Sequence, residues 1–403
     1  MKKLDKLDKF ELVDIVHKAK CGKLQGLNTK DMTKEQLVEH LYNSKCPEVH
    51  EMITEITELK DDLGQFVEKY VDAGNSLTVD QIYYSGMQEV IMSIFFYEAW
   101  KNKRYDCILH NGNQNNYSKF SFRFSVDETV HAGNQFTLTA LVKHIGEQMS
   151  ICIKKGIKII AIPIQFDTRP GSGHANAIIY RVDSKTFERF EPHGATSGTS
   201  FESMIYKDFE KARDELAKKY KEEVKKKNDK KASAIYNKID KLQSRMAEHK
   251  YNINSPMNDL LEKYFTKVLP KLNPDFKGSK YISPDIVTEA IHGFQSIEPT
   301  EIRKKYKLSP ELYTEKIGGF CVMWSIMYFD LVFRFPKATP AVLNKSLLDL
   351  LEKKGEFAFG ELALGYLQGF KRYIDKFLGK TDYSTKDKRE NLAIELEKFV
   401  TID

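Results

Sequence analysis

Apolar residues recur at helical spacing in two short stretches near the start of the chain. Leu12, Ile15, Val16 and Ala19 share one face, and Leu37, Leu41 and Tyr42 share another. Glycines in "KCGKLQGLNTKD" break the pattern between them. Thr33 can cap the second helix, and Gln36, three residues on, completes a capping box. Residues 48–103 continue the helical period, most strongly in "MQEVIMSIFFYEAWKNK". The period then shortens. "RYDCIL" (104–109) and "SKFSFRFS" (118–125) alternate as strands, with β-branched and aromatic residues. Residues 138–156 return to helical spacing, and "IKIIAIPIQF" (157–166) is an apolar run of strand length, predicted to be central and buried on both faces. "ANAIIYRV", the turn "DSK" and "TFERFE" predict a hairpin.

Residues 205–250 mix both signs of charge with sparse leucines. They predict one or two long exposed helices, folded back near Asn228. Residues 256–318 are mixed, and helices dominate from Cys321 to the end. The domains read from this pattern are a helix–loop–helix module at 1–46, a helical region at 47–103, a core at 104–336 carrying the charged insertion, and a helical region at 337–403. The fold class is α+β, with no internal repeat.

The chain has 403 residues, 41% hydrophobic, enough for a sizeable core. Its formal net charge of +6 neither demands nor forbids a nucleic-acid partner. The five cysteines are odd in number and widely spaced, with no CxxC. They predict neither a disulfide framework nor a zinc knuckle, and favour a reducing, intracellular setting. The charged N-terminus does not read as a signal peptide, and "CVMWSIMYFDLVFRF" is too short to span a bilayer, so no membrane partner is expected.

Residues 1–46 resemble SAP and related helix-extension-helix modules. That resemblance implies nucleic-acid binding; a helical hairpin docked on the rest of the chain or on a partner fits the same pattern.

Two segments carry chemistry. In "RPGSGHANAIIY", His174 sits where a glycine-rich loop enters a strand. In "ERFEPHG", Glu191 leaves the neighbouring strand seventeen residues later. That spacing suits two adjacent strand ends, where a carboxylate can orient an imidazole and favour its protonated form. Pro192 restricts the backbone of Glu191. Far ahead, two glycines lead into Cys321, followed by an apolar helix. A thiol at a helix N-terminus feels the positive end of the dipole and leans toward thiolate. Taken singly, each residue has an ordinary reading: a small buried cysteine, a structural histidine, a surface glutamate, or His193 as the imidazole that matters.

Together they resemble the clan of cysteine proteases that holds adenovirus endopeptidase and the SUMO-specific proteases, whose site runs His, acid, Gln, Cys. His174, Glu191, Gln295 and Cys321 fall in that order. "FEPHG" is similar to the F-E-P-x-G segment of the adenovirus branch. "GHANAIIY", "RFEPHG" and "GGFCVMWS" are similar to predicted proteases of large nucleocytoplasmic DNA viruses. Ala175 departs from the family, which has an aromatic residue there. Gln295 lies 26 residues before Cys321 rather than a few. The resemblance covers roughly residues 155–335. It implies a mixed sheet of about five strands packed on the Cys-bearing helix and a thiol endopeptidase needing no metal or cofactor. It further implies glycine-containing protein substrates and a maturation role in a virion or host cytoplasm. A deubiquitinating or SUMO-removing enzyme, an acyltransferase, and a non-enzymatic virion or nucleic-acid-binding protein on the same scaffold are the alternatives.

Overall fold

The computed structural model describes residues 4, 7, 9–78, 107–109, 122–125, 135–169, 172–192, 201–226, 228, 230–239, 256–284, 294–310, 313 and 320–378. The predicted helix at 87–103 lies outside these residues. So does His193.

The chain opens with α1 (Lys9–Lys18), α2 (Lys34–Ser44) and α3 (Pro47–Asn75). Thr33 and Gln36 form the predicted reciprocal capping box at the start of α2. The first turns of α3, through Val49, Ile53 and Ile56, close a small apolar core with α1 and α2. From Leu59 onward the same helix joins the main core. One continuous helix therefore ties the N-terminal module to the body.

Five strands form one mixed sheet in the order β1 (Phe122–Ser125), β2 (Ile159–Arg169), β3 (Ser172–Arg181), β4 (Thr186–Phe190) and β5 (Lys280–Ile282). The three middle strands are antiparallel, and the two outer pairs are parallel. Alternation along the strands separates two cores. Ile160, Ile162, Ile164, Phe166, Ile178, Tyr180 and Phe187 face one way, toward α4 (Gln135–Lys154) and Phe265. Ala161, Ala175, Ala177, Ile179 and Phe190 face the other. So the 157–166 run is buried on both faces as its composition predicts, although β3 is the middle strand.

The charged insertion begins with α5 (Phe201–Lys225) and turns at Asn228 into α6, residues 230–239. The rings of Tyr220 and Tyr236 meet across that turn, with centroids 6.0 Å apart, so the two helices fold back on each other as the charge pattern predicts. The arm is not wholly solvated: Leu216 packs on the core beneath β3. α7 (Pro256–Lys263) then leads by a π-turn into Leu269–Leu272 and on to β5.

The three alanines on the second face leave room for a bulky helix. That helix is α9 (Cys321–Arg334), which follows α8 (Phe294–Tyr306) and is buried from Cys321 through Val332. A helix apolar all round belongs in the centre of a core. Arg181, at the far end of β3, holds its C-terminal end. The guanidinium donates to Glu188 at 2.7 Å and to the carbonyls of Pro336 and Ala338. α10 (Pro340–Lys354) and α11 (Ala358–Leu378) wrap the other side. α11 crosses α3 so closely that a methyl group at Gly365 would run into the carbonyl of Tyr70. Gly365→Ala should therefore lower stability by about 1–3 kcal/mol through overpacking, read from denaturant unfolding. An unchanged midpoint would mean the crossing is looser than described.

Cys107 and Cys152 form a disulfide, against the expectation drawn from cysteine number and spacing that a disulfide framework is absent. Residues 107–109 lie along β2, and α4 packs over the same core, so residues 45 apart in sequence meet. Their spacing carried no sign of this, and the cysteine argument for a reducing compartment lapses with it. Cys21, Cys46 and Cys321 are not in disulfides.

Candidate active site

The register of the hairpin brings the first two site residues together. Ala177 pairs with Phe190, so β3 runs on past the end of β4 by the few residues that include His174. Glu191 follows directly and reaches back: its Oε1 lies 2.6 Å from Nε2 of His174. Both side chains are almost wholly buried.

A residue that the sequence reading passed over holds Glu191 from the other side. Arg189 is fully buried. It donates to Oε2 of Glu191 at 3.0 Å, to Asn176 at 2.8 Å and to Asn258 at 2.7 Å. Its guanidinium also lies over the Phe166 ring, 5.1 Å from the centroid. Tyr281 donates its hydroxyl to the same Asn258 oxygen. A buried guanidinium with three oriented acceptors is a fixed frame, since its planar fork matches all of them at once. The only sequence signal for it is an arginine at an inward-facing position of a strand that otherwise reads as alternating, two residues before the glutamate.

Cys321 is the first residue of α9, and no side chain caps that helix. Its sulfur is hydrogen-bonded to the His174 ring and to the backbone of Ala175. With Nε2 committed to Glu191, Nδ1 is the ring nitrogen left for the sulfur. Burial pulls the imidazole down, but Glu191 and the Cys321 sulfur override it and push the ring up to about 10. Burial alone would raise the thiol, and the hydrogen bond and charge of His174 carry it below its ordinary value instead. A raised base and a lowered acid side by side both shift the balance toward imidazolium and thiolate. The raised histidine stabilises the fold fully below its ordinary value near 6.5, and that contribution is lost as pH rises through about 10.

Gln295 comes to the same place despite its distance in sequence. It is the second residue of α8, it is buried, and its backbone N–H donates to the carbonyl of Pro192 at 2.9 Å. The start of α8 thus sits on the chain immediately after Glu191. Phe294 stacks on Trp324 at 5.0 Å and meets Phe190 at 5.9 Å, which sets the same turn against the Cys helix. The side-chain oxygen of Gln295 is buried with no hydrogen-bond partner among the described residues. A buried amide with an unmatched end is costly unless something else completes it.

Glu298, one turn along α8, went unnoticed in the sequence. It is fully buried and accepts from Tyr313 at 2.6 Å and from the Trp324 indole at 3.0 Å. Burial pushes its carboxyl up to about 8. Tyr313 and Trp324 donate against that rise, and the nearby Cys321 sulfur adds to it. Glu298 therefore joins the helix that carries Gln295 to the helix that carries Cys321. Among the described residues no cluster of three or more His, Cys, Asp or Glu could hold a metal ion, and no helix is long and apolar enough to cross a membrane.

No protein-family profile matches the chain, and no solved structure matches it. A stretch of 286 residues, 69% of the chain, is 21% identical to a protein of Acanthamoeba polyphaga mimivirus that bears the name "Putative ankyrin repeat protein". The chain spans 29% of that protein's length.

Proposed function

We propose that the chain is a thiol endopeptidase that uses Cys321, His174 and Glu191, with Gln295 at the oxyanion. The observation that carries this reading is the hydrogen-bonded series Cys321–His174–Glu191, buried where a helix N-terminus meets a strand end. Cys321, as thiolate, attacks the peptide carbonyl. His174, already protonated, gives its proton to the leaving amine, and then takes one from the water that hydrolyses the thioester. Glu191, itself held by Arg189, keeps the imidazole in one orientation. In this reading the amide of Gln295 and the backbone N–H of Cys321 stabilise the charge that develops on the carbonyl oxygen. By resemblance the substrate is a glycine-containing protein, in the manner of a viral maturation protease, and the mimivirus source of the relative agrees with that setting.

A second reading is a binding protein on the same scaffold. Its support is the burial of Cys321, only 5% exposed. The rate of Cys321 alkylation by iodoacetamide, measured from pH 4 to 9 in the whole protein, separates the two. The protease reading expects a thiolate well below the ordinary thiol range near 8.5. In His174→Ala burial acts without its counterweight, so the thiolate should recede to higher pH and the rate at pH 7 should fall at least about tenfold. Identical profiles in the two proteins would overturn the pairing and favour the scaffold.

A further inference from the structure

The two remaining thiols pack against the separate N-terminal core, and the fold brings them together. Cys21 begins the turn after α1, and its carbonyl accepts from the backbone of Leu24 and Gln25. Cys46 immediately precedes α3 and occupies its N-cap position. A hydrogen bond independently places these segments side by side: the backbone N–H of Lys20 donates to the Glu48 carboxylate at 2.8 Å. Both cysteines pack on the edge of the N-terminal core, half-buried rather than sealed inside it. The neighbouring Cys21 thiol is the main reason the Cys46 thiol stands above its ordinary value. Burial adds to this, and the backbone N–H groups of Val49 and Glu48 oppose it.

We propose that Cys21 and Cys46 are a modification site: a dithiol that closes to a disulfide by exchange with a low-molecular-weight disulfide. One thiolate of the pair attacks a sulfur of the oxidant, breaking its S–S bond and releasing one small thiolate, which takes up a proton. The second protein thiolate attacks the protein sulfur of the mixed disulfide and releases the other small thiolate, which also takes up a proton. Two electrons pass from the protein to the oxidant, and the two thiol protons leave with the two small thiols. Three features favour the second step over a stalled adduct. The partner sulfur lies near enough to perturb the Cys46 thiol, the turn and the helix start are joined through Lys20 and Glu48, and both cysteines are only half-buried. Closure would encircle α2 and fasten the α1–α2 connection to the first turn of α3. This inference does not depend on the protease reading.

The test uses the full chain, reduced with dithiothreitol and then equilibrated with mixtures of oxidised and reduced glutathione. After acid quenching and blocking with N-ethylmaleimide, peptides are mapped without reduction. The expected result is one linked pair of peptides carrying Cys21 and Cys46, reversed by dithiothreitol. Amide exchange in residues 22–33 should slow by about tenfold or more on closure. In Cys21→Ser the partner should stop at the glutathione adduct of Cys46. Wild-type protein in which the two cysteines end as separate adducts or as separate maleimide derivatives, at every ratio tried, overturns the proposal without reference to any variant.

Discussion

Cys321→Ala is expected to abolish peptide hydrolysis, by roughly 10^4-fold or more, because the nucleophile of a unit that acts together cannot be replaced by its neighbours. The substrate should be a glycine-containing peptide or a ubiquitin-like fusion, tested side by side, since these separate a maturation protease from a deubiquitinating or SUMO-removing one. The fold should survive. Alanine is the smaller residue at a buried position, and the helix behind it is held by Trp324, Tyr328 and the Arg181 clamp rather than by the thiol. Circular dichroism and a thermal midpoint close to that of the wild type would accompany the loss. Full hydrolysis in this variant would remove Cys321 from the chemistry and the protease assignment with it.

Arg189→Ala is expected to be the most damaging substitution for stability, at about 3–5 kcal/mol in urea unfolding at neutral pH. It takes the guanidinium from a carboxylate that is wholly inside the protein, and it removes the donors facing Asn176 and Asn258. Glu191 and Asn176 are buried, so solvent cannot readily replace what they lose and the desolvation cost stays largely uncompensated. Arg189→Lys should recover little of the loss, since one ammonium cannot span three acceptors set by a planar fork. Hydrolysis should fall along with stability, because Glu191 is held between Arg189 and His174. A loss below about 1 kcal/mol would mean that the carboxylate finds its stabilisation elsewhere.

These two residues differ in how far the local sequence singles them out. Cys321 announces itself: two glycines, then a thiol, then an unbroken apolar helix. Arg189 does not. An arginine in a strand reads as a solvent-facing charge, and only the arrival of Asn258 from α7 and the edge of β5 explains how it can be buried. Glu298 is hidden in the same way. Its partners, Tyr313 and Trp324, lie 15 and 26 residues downstream, and no local period connects them. The disulfide between Cys107 and Cys152 ran against the cysteine spacing for the same reason.

What the sequence determined by itself is local. The capping box of α2, the apolar run of β2, the hairpin that sets His174 beside Glu191, and the fold-back of the charged arm at Asn228 each depend on residues within one or two elements. A hairpin's register follows from its turn, so a separation of seventeen residues was enough to join the imidazole and the carboxylate. Tertiary structure decided the rest. It brought Gln295 to the carbonyl of Pro192, 103 residues earlier in the chain, set Cys321 against the end of β3, enclosed Arg189, and paired Cys107 with Cys152. These contacts come from the packing of whole faces, above all a bulky helix on a sheet face lined by Ala161, Ala175 and Ala177. Which faces meet depends on the summed burial of many side chains, a quantity that no single motif contains.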